Sequence, residues 1–360
     1  MLSSSLVAFG WTEARDNRYT DILSSAPFGL RPRSTLSAAR VTRHDRGRWT
    51  LITDHGSVAA DLRNRLRNSS DPSQHPTVGD WVIISVGGVD DPVLIEAVLP
   101  RSSALERGAV GKPTEAQVLA ANVDTVLICV PADAPPNPRR VERQLAMVWN
   151  CGATPVLVMT KSDLGIAADW LREVALGASV VPVDSLSGDG IDGLAPWLEP
   201  GRTLVVLGPS GAGKSTLGNA LLGGSVLPTG DVRSLDRRGR HTTTWRELVM
   251  LPSGALLVDT PGIREVELWA AVEGLSTAFT DLEELSGQCR FHDCAHQSEP
   301  GCAVVAALTD GSLAEERFEN WKALQRELAF QARRHDARLA SEEKKKWAAR
   351  TREARTRARR

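Results

Sequence analysis

The sequence predicts an α/β domain built around a phosphate loop, with a small β-barrel before it and a mainly helical, metal-holding module after it. Three observations predict this. A glycine-rich loop, Gly208-Pro-Ser-Gly-Ala-Gly-Lys-Ser-Thr216, stands between an apolar strand and the start of a helix. Five short β-patterned runs fill residues 36–99. Three cysteines and a histidine crowd into residues 289–302.

The loop fits G-x-x-x-x-G-K-[ST], with Gly208, Gly213, Lys214 and Ser215 in the fixed positions. Pro209, Ser210, Gly211 and Ala212 lie between them, and Thr216 follows. Thr203–Leu207 reads as a buried parallel strand, and Leu217–Leu222 continues as helix. Glycines let backbone N–H groups turn inward around phosphate oxygens, and the helix N-terminus adds its dipole. Lys214 is expected at the β- and γ-phosphates, and the Ser215 hydroxyl suits Mg²⁺.

Ahead of this loop, residues 1–35 are rich in Ser and Arg, show little periodicity, and read as an extended arm. The barrel follows at 36–105, from runs at Leu36–Val41, Arg48–Thr53, Ser57–Leu62, Val78–Val86 and Val93–Leu99. Turn residues such as Asp54-His-Gly56 separate them, and five strands in so short a span suggest the oligonucleotide-binding (OB) type. Arg63, Arg65 and Arg67 belong to a loop of this barrel, either meeting phosphates or standing solvated. Residues 100–122 read as a connector. From Val123 apolar strands alternate with helical stretches, so 106–280 is expected to be one parallel-sheet domain. Residues 281–360 hold the Cys/His cluster, helix from Leu313 and a basic tail.

The chain has 360 residues and a net charge of −1, but its basic residues gather at the two ends. That suggests a polyanionic partner, or else solvated tails. No apolar run reaches membrane-spanning length, and Met1–Phe9 lacks the basic start of a signal peptide. Five cysteines are too few for a disulfide framework. A cytoplasmic, membrane-free monomer is the expectation.

The phosphate loop does not choose between ATP and GTP; three other stretches do. Thr160-Lys161-Ser162-Asp163 follows the strand Pro155–Met159 and resembles the N-K-x-D base reader of GTPases, with Thr160 in place of Asn. There the carboxylate, here Asp163, takes two guanine donors that adenine lacks. Ser185-Leu-Ser-Gly-Asp-Gly190 resembles the element that backs the guanine, with Leu186 in place of Ala. Asp259-Thr-Pro-Gly262 resembles D-x-x-G, where Asp259 would hold Mg²⁺ through water and the Gly262 N–H would sense the γ-phosphate. Gly239-Arg-His-Thr-Thr-Thr244 is the candidate first switch. By comparison with T-T switches Thr243 is its Mg²⁺ ligand, with Thr242 and Thr244 still open. The order is base reader, base backer, phosphate loop, switch I, switch II. In an ordinary GTPase the phosphate loop comes first, so this chain reads as a circular permutation.

With these motifs in this order, residues 36–325 resemble the ribosome small subunit-dependent GTPase A family. The resemblance implies GTP hydrolysis, binding to the small ribosomal subunit and its rRNA, a part in late subunit maturation, and help in releasing ribosome-binding factor A. Ile263 follows Gly262 where GTPases often place a water-orienting glutamine nearby, which implies slow hydrolysis until a partner completes the site.

Cys289, Cys294, His296 and Cys302 form C-x₄-C-x-H-x₅-C. Three thiolates and an imidazole make a closed tetrahedral set that suits one structural Zn²⁺, with His292 as a competing nitrogen. Two rival readings remain: an ATP-using kinase, against which Asp163 counts, and a nucleic-acid-binding zinc protein with a degenerate nucleotide site, against which Lys214, Ser215 and Asp259 count.

Overall fold

The computed structural model describes residues 4–25, 35–224, 246–259 and 279–326, apart from residues 46, 70, 72–73, 88–90, 110–111, 136, 166–168, 176, 292–293, 298, 316 and 324. The chain opens with two helices, α1 (Ser4–Ala8) and α2 (Glu13–Ser25), where the sequence suggested an extended arm. Their apolar residues are too scattered to show a periodic face. They find their partners in the barrel, where Leu6 and Trp11 pack with Leu36, Trp81 and Leu99. Glu13 and Asp16 in the first turn suit the positive end of α2.

The barrel consists of β1 (Leu36–Asp45), β2 (Arg48–Thr53), β3 (Gly56–Leu62), β4 (Trp81–Ser85) and β5 (Val93–Val98). The strands run in the order β1-β2-β3-β5-β4, and β4 pairs back onto β1. This closure removes the free edges that five short strands would otherwise expose. Alternate residues, among them Val41, Leu51, Ile84 and Ile95, fill the interior. A one-turn helix, α3 (Asn64–Arg67), closes one end with the buried Leu66.

The expected connector is a hairpin, β6 (Ala104–Ala109) and β7 (Lys112–Ala121). A domain boundary at residue 105 would cut through β6. The chain then enters the α/β domain. It comprises β8 (Thr125–Pro131), α4 (Pro138–Asn150), β9 (Thr154–Thr160), α5 (Asp169–Val174), β10 (Ser179–Val183), β11 (Thr203–Leu207), α6 (Lys214–Leu222), β12 (Arg246–Met250) and β13 (Leu256–Asp259). The order β10-β9-β8-β11-β13 is parallel throughout, and β12 adds antiparallel to β13. Along β8, Val126 and Ile128 pack toward α4, whereas Leu127 and Cys129 pack toward α6. Both faces are thus covered, which explains the near-continuous apolar strands.

β12 was not anticipated from the sequence, and it joins the two sheets. Arg43 and His44 of β1 pair with Glu247 and Arg246, making one 11-stranded sheet from barrel and α/β domain. The C-terminal module contains α7 (Thr280–Gly287), α8 (Ala303–Asp310) and a helical stretch within 315–326. Phe279, Leu282, Val304, Phe318 and Trp321 form its core together with Ala146 of α4. Among the described residues, no helix is long and apolar enough to cross a membrane.

Candidate functional site

Four of the sequence motifs lie at the carboxyl ends of parallel strands in one sheet, where open α/β sheets bind ligands. Thr160–Asp163 follows β9, Ser185–Gly190 follows β10, Gly208–Thr216 follows β11, and Asp259 ends β13. The permuted order along the chain therefore collapses onto one edge of the sheet.

The phosphate loop is shaped by close backbone approach. Gly208 has φ 145°, and a Cβ there would lie 2.7 Å from the Cys129 carbonyl oxygen. Gly213, at φ 79°, is the N-cap of α6, so Lys214, Ser215 and Thr216 occupy its first turn. The loop wraps the lysine: Lys214 Nζ donates to Gly208 O at 2.7 Å and also to Pro209 O. Ala212 is buried, while Ser210 and Gly211 are exposed at the loop tip. This arrangement places glycine-rich backbone, a cation and a helix N-terminus together, the combination that binds an anion.

The base-reader segment is tied to that loop. Thr160 is buried, and its hydroxyl donates to Ala212 O at 2.8 Å. Ala132 N–H, past the end of β8, donates to Thr160 O at 2.9 Å. Lys161 adopts φ 57°, a left-handed conformation that costs a non-glycine residue energy. It starts the 3-10 turn Ser162–Leu164, which leaves Asp163 exposed.

In the neighbouring loop Ser185 Oγ is buried without a hydrogen-bond partner among the described residues, an orphan of the kind a bound polar ligand satisfies. Leu186 is 87% exposed, and its N–H donates to Asp184 Oδ1 at 2.9 Å. The Ser187 hydroxyl, and then the Leu186 N–H, hold the Asp184 carboxyl below its ordinary range.

Asp259 is described as backbone only, paired in register with Glu247. Thr243, its alternatives Thr242 and Thr244, Gly262, Ile263 and His292 all lie outside the described residues.

The ligand atoms of Cys289, Cys294, His296 and Cys302 lie within 4.8 Å of one another. The Cys289 and Cys302 sulfurs are 3.8 Å apart. His296 Nδ1 lies 3.6 Å from Cys289 Sγ and 3.5 Å from Cys302 Sγ. A tetrahedral zinc with ordinary bond lengths needs edges of about 3.8 Å between sulfurs and about 3.6 Å between sulfur and nitrogen. The Cys289, His296 and Cys302 edges therefore match zinc, and Cys294 lies close enough to complete a set of the right chemistry. Supporting contacts hold the donors in place. The Ser286 hydroxyl is 3.2 Å from His296 Nε2, and Val305 N–H donates to Cys302 Sγ, the N-cap of α8. Burial pushes the Cys289 thiol up, but the Ala303 and Val304 N–H groups, with the Cys302 and Cys294 side chains, together outweigh it and hold the thiol below its ordinary value. His296 itself is left-handed, at φ 55°.

Several site-supporting residues carry no motif signal. Asp133 lies 2.7 Å from Lys161 Nζ. Arg317 of the C-terminal module bridges Glu142 of α4 and Asp281 of α7. Each contact joins segments far apart in sequence, so spacing could not reveal it.

The geometry agrees with comparisons to known proteins. The profile of the RsgA GTPase family matches residues 98–269. The small ribosomal subunit biogenesis GTPase RsgA of Streptomyces avermitilis is 43% identical over 93% of this chain and 89% of its own. The protein of the same name from Opitutus terrae is 45% identical, covering 83% and 85%. Among solved structures, YjeQ from Thermotoga maritima aligns with a TM-score of 0.61 and 28% identity, over 82% of this chain and 99% of that one. YloQ, described as a circularly permuted GTPase, aligns at 0.58 with 22% identity, over 84% and 99%, a likeness of fold.

Proposed function

Because the chain belongs to the RsgA GTPase family and is therefore a GTP-hydrolysing enzyme, we propose that it binds the small ribosomal subunit and assists its late maturation. The observation that carries the nucleotide-site part of this reading is the hydrogen bond from Thr160 to Ala212, which joins base reader and phosphate loop across the permuted chain, and the names of the relatives carry the ribosomal part. The two rival readings drop out with family membership, since both lack a working GTP site.

In the proposed site the loop amides from Gly208 to Thr216 cradle the phosphates, and Lys214 neutralises charge as it develops. Asp163 accepts from guanine, with Lys161 across the base and Ser185 behind it. Ser215, Thr243 and Asp259 would hold Mg²⁺, which would supply positive charge against the phosphates. Gly262 would sense the γ-phosphate. Cys289, Cys294, His296 and Cys302 hold one structural zinc that organises the C-terminal module.

Because Ile263 follows Gly262 where GTPases often place a water-orienting glutamine nearby, hydrolysis is slow in the free enzyme and rises on the subunit. The barrel and the C-terminal module provide rRNA contacts, and the cycle helps release ribosome-binding factor A. The protein acts as a cytoplasmic monomer. A GTPase assay with and without purified small subunits tests the reading. Stimulation that weakens steeply with salt is expected; a rate indifferent to subunits across a range of salt would refute it.

A further inference from the structure

Lys161 is held by a carboxylate that belongs to none of the motifs. Its ammonium lies 2.7 Å from Asp133 Oδ2, on the turn after β8 and 28 residues away in sequence. Three strand ends converge at this point. Pro131 of β8 sits opposite Thr160 of β9. Ala132 N–H donates to Thr160 O, and the Thr160 hydroxyl donates to Ala212 O. These bonds fix the backbone from which Lys161 departs, but they leave its four-carbon stem free to rotate. Among the described residues, Asp133 is what holds the far end in place.

We propose that Asp133 is a positioning residue for guanine recognition, anchoring the Lys161 ammonium so that the lysine stem lies across the base plane beside Asp163. The proposal rests on reading Thr160–Asp163 as the base reader. A lysine stem loses rotamer freedom when it covers a base. A carboxylate that already holds its end removes part of that loss before the nucleotide arrives, and the gain appears as affinity. Direct Coulomb stabilisation of the fold is a weaker explanation. Both side chains are more than one-third exposed, at 36% and 38%, so solvent screens the pair.

The substitution at Thr160 makes this anchor matter more in this chain. An asparagine at that position brings two amide donors and a carbonyl acceptor. Threonine brings a single hydroxyl proton, and Ala212 O takes it. Nothing of Thr160 remains to donate elsewhere, so orientation of the reader falls to the neighbouring β8 turn.

The test is a double-mutant cycle on the full-length protein, read by titration with fluorescent GDP. Asp133→Ala should weaken GDP binding roughly 3- to 10-fold, and Asp133→Glu should restore it to within about twofold. Asp133→Ala combined with Lys161→Ala should bind no more weakly than Lys161→Ala alone, because the carboxylate acts only through the lysine. The melting temperature of the nucleotide-free chain should not move, as it would for a merely structural contact. An unchanged GDP affinity in Asp133→Ala, or losses that multiply in the double variant, overturns the proposal. Failure of the base-reader reading itself looks different: wild type then shows no preference for GDP over ADP, or Lys161→Ala leaves GDP affinity untouched.

Discussion

Two arginines, one at each seam of the α/β domain, solve the problem of a buried cation in opposite ways. At the barrel seam Arg40 is 1% exposed and donates to neutral acceptors: Thr203 Oγ1 at 2.8 Å, Gly79 O at 3.2 Å, and Phe9 O. Its guanidinium also lies over the Trp81 ring, 5.0 Å from the centroid. Burial pushes it down to about 9, and the nearby Arg15 adds to the effect. At the C-terminal seam Arg317 grips two carboxylates. It meets Asp281 through two bonds of 2.7 and 2.8 Å and Glu142 through one of 2.8 Å. Burial pushes Arg317 down, but Asp281 and then Glu142 outweigh this and hold it above its ordinary value.

The difference teaches how each seam is built. Arg40 draws its acceptors from three segments that the fold has already placed: the N-terminal helices, the barrel, and the strand leading to the phosphate loop. The same seam carries backbone pairing between β1 and β12. The N-terminal segment also approaches so closely that a Cβ on Gly10 would lie 2.5 Å from Gly201 O. Such a seam forms together with the sheet. The C-terminal seam involves apolar side chains and one ionic cluster, with no strand pairing to the sheet in the described pairings. Its charges can return to water if the module leaves, so it is a docked surface.

The largest expected effect is metal removal, which should separate the two seams. On the proposed zinc assignment, chelation should unfold the C-terminal module, since binding energy at a structural zinc amounts to roughly 10 kcal/mol or more of folding energy. Hydrogen exchange should then rise across 279–326 while β1, β11 and β12 stay protected. Equal loss of protection in the barrel would break the distinction.

Next comes Arg317→Met. It leaves the buried Glu142 carboxylate with its Asn320 hydrogen bond but no cation, and should cost about 3 kcal/mol at the docked seam. Limited proteolysis within 279–326 would report it, and a second change, Glu142→Gln, should recover part of the loss.

Arg40→Met should cost less, about 1–3 kcal/mol, because the lost hydrogen bonds are partly offset by no longer burying a charge. That loss should appear as one cooperative shift in the melting of barrel and α/β domain together. Two separated transitions would show that the barrel is docked too.

The smallest effect belongs to Thr203→Val. It removes one of three acceptors while keeping the shape of β11, for about 1 kcal/mol in a denaturant titration. A loss as large as that of Arg40→Met would mean that this hydroxyl alone holds the seam.

The sequence by itself determined the parts whose chemistry is local. Gly208, Gly213, Lys214 and Ser215 shape a loop within nine residues, and the strand and helix beside it follow from continuous apolar runs. The cysteine spacing named a metal-sized cluster, because its four donors are close in sequence as well as in space. Thr160–Asp163 and Ser185 stood out for the same reason.

Tertiary structure decided whatever depends on distant partners. Nothing local marks Arg40 as the partner of Thr203, 163 residues away, or Glu142 as the partner of Arg317, 175 residues away. The helices at 4–25 exist because the barrel offers apolar surface to Leu6 and Trp11, and α2 on its own shows little sidedness. β12 is short and polar at its start, and it becomes a strand because β13 and β1 supply hydrogen-bond partners on both sides. Local spacing encodes a loop's chemistry. A buried charge, an anchored lysine or a strand between two sheets is encoded only by the contacts that folding brings together.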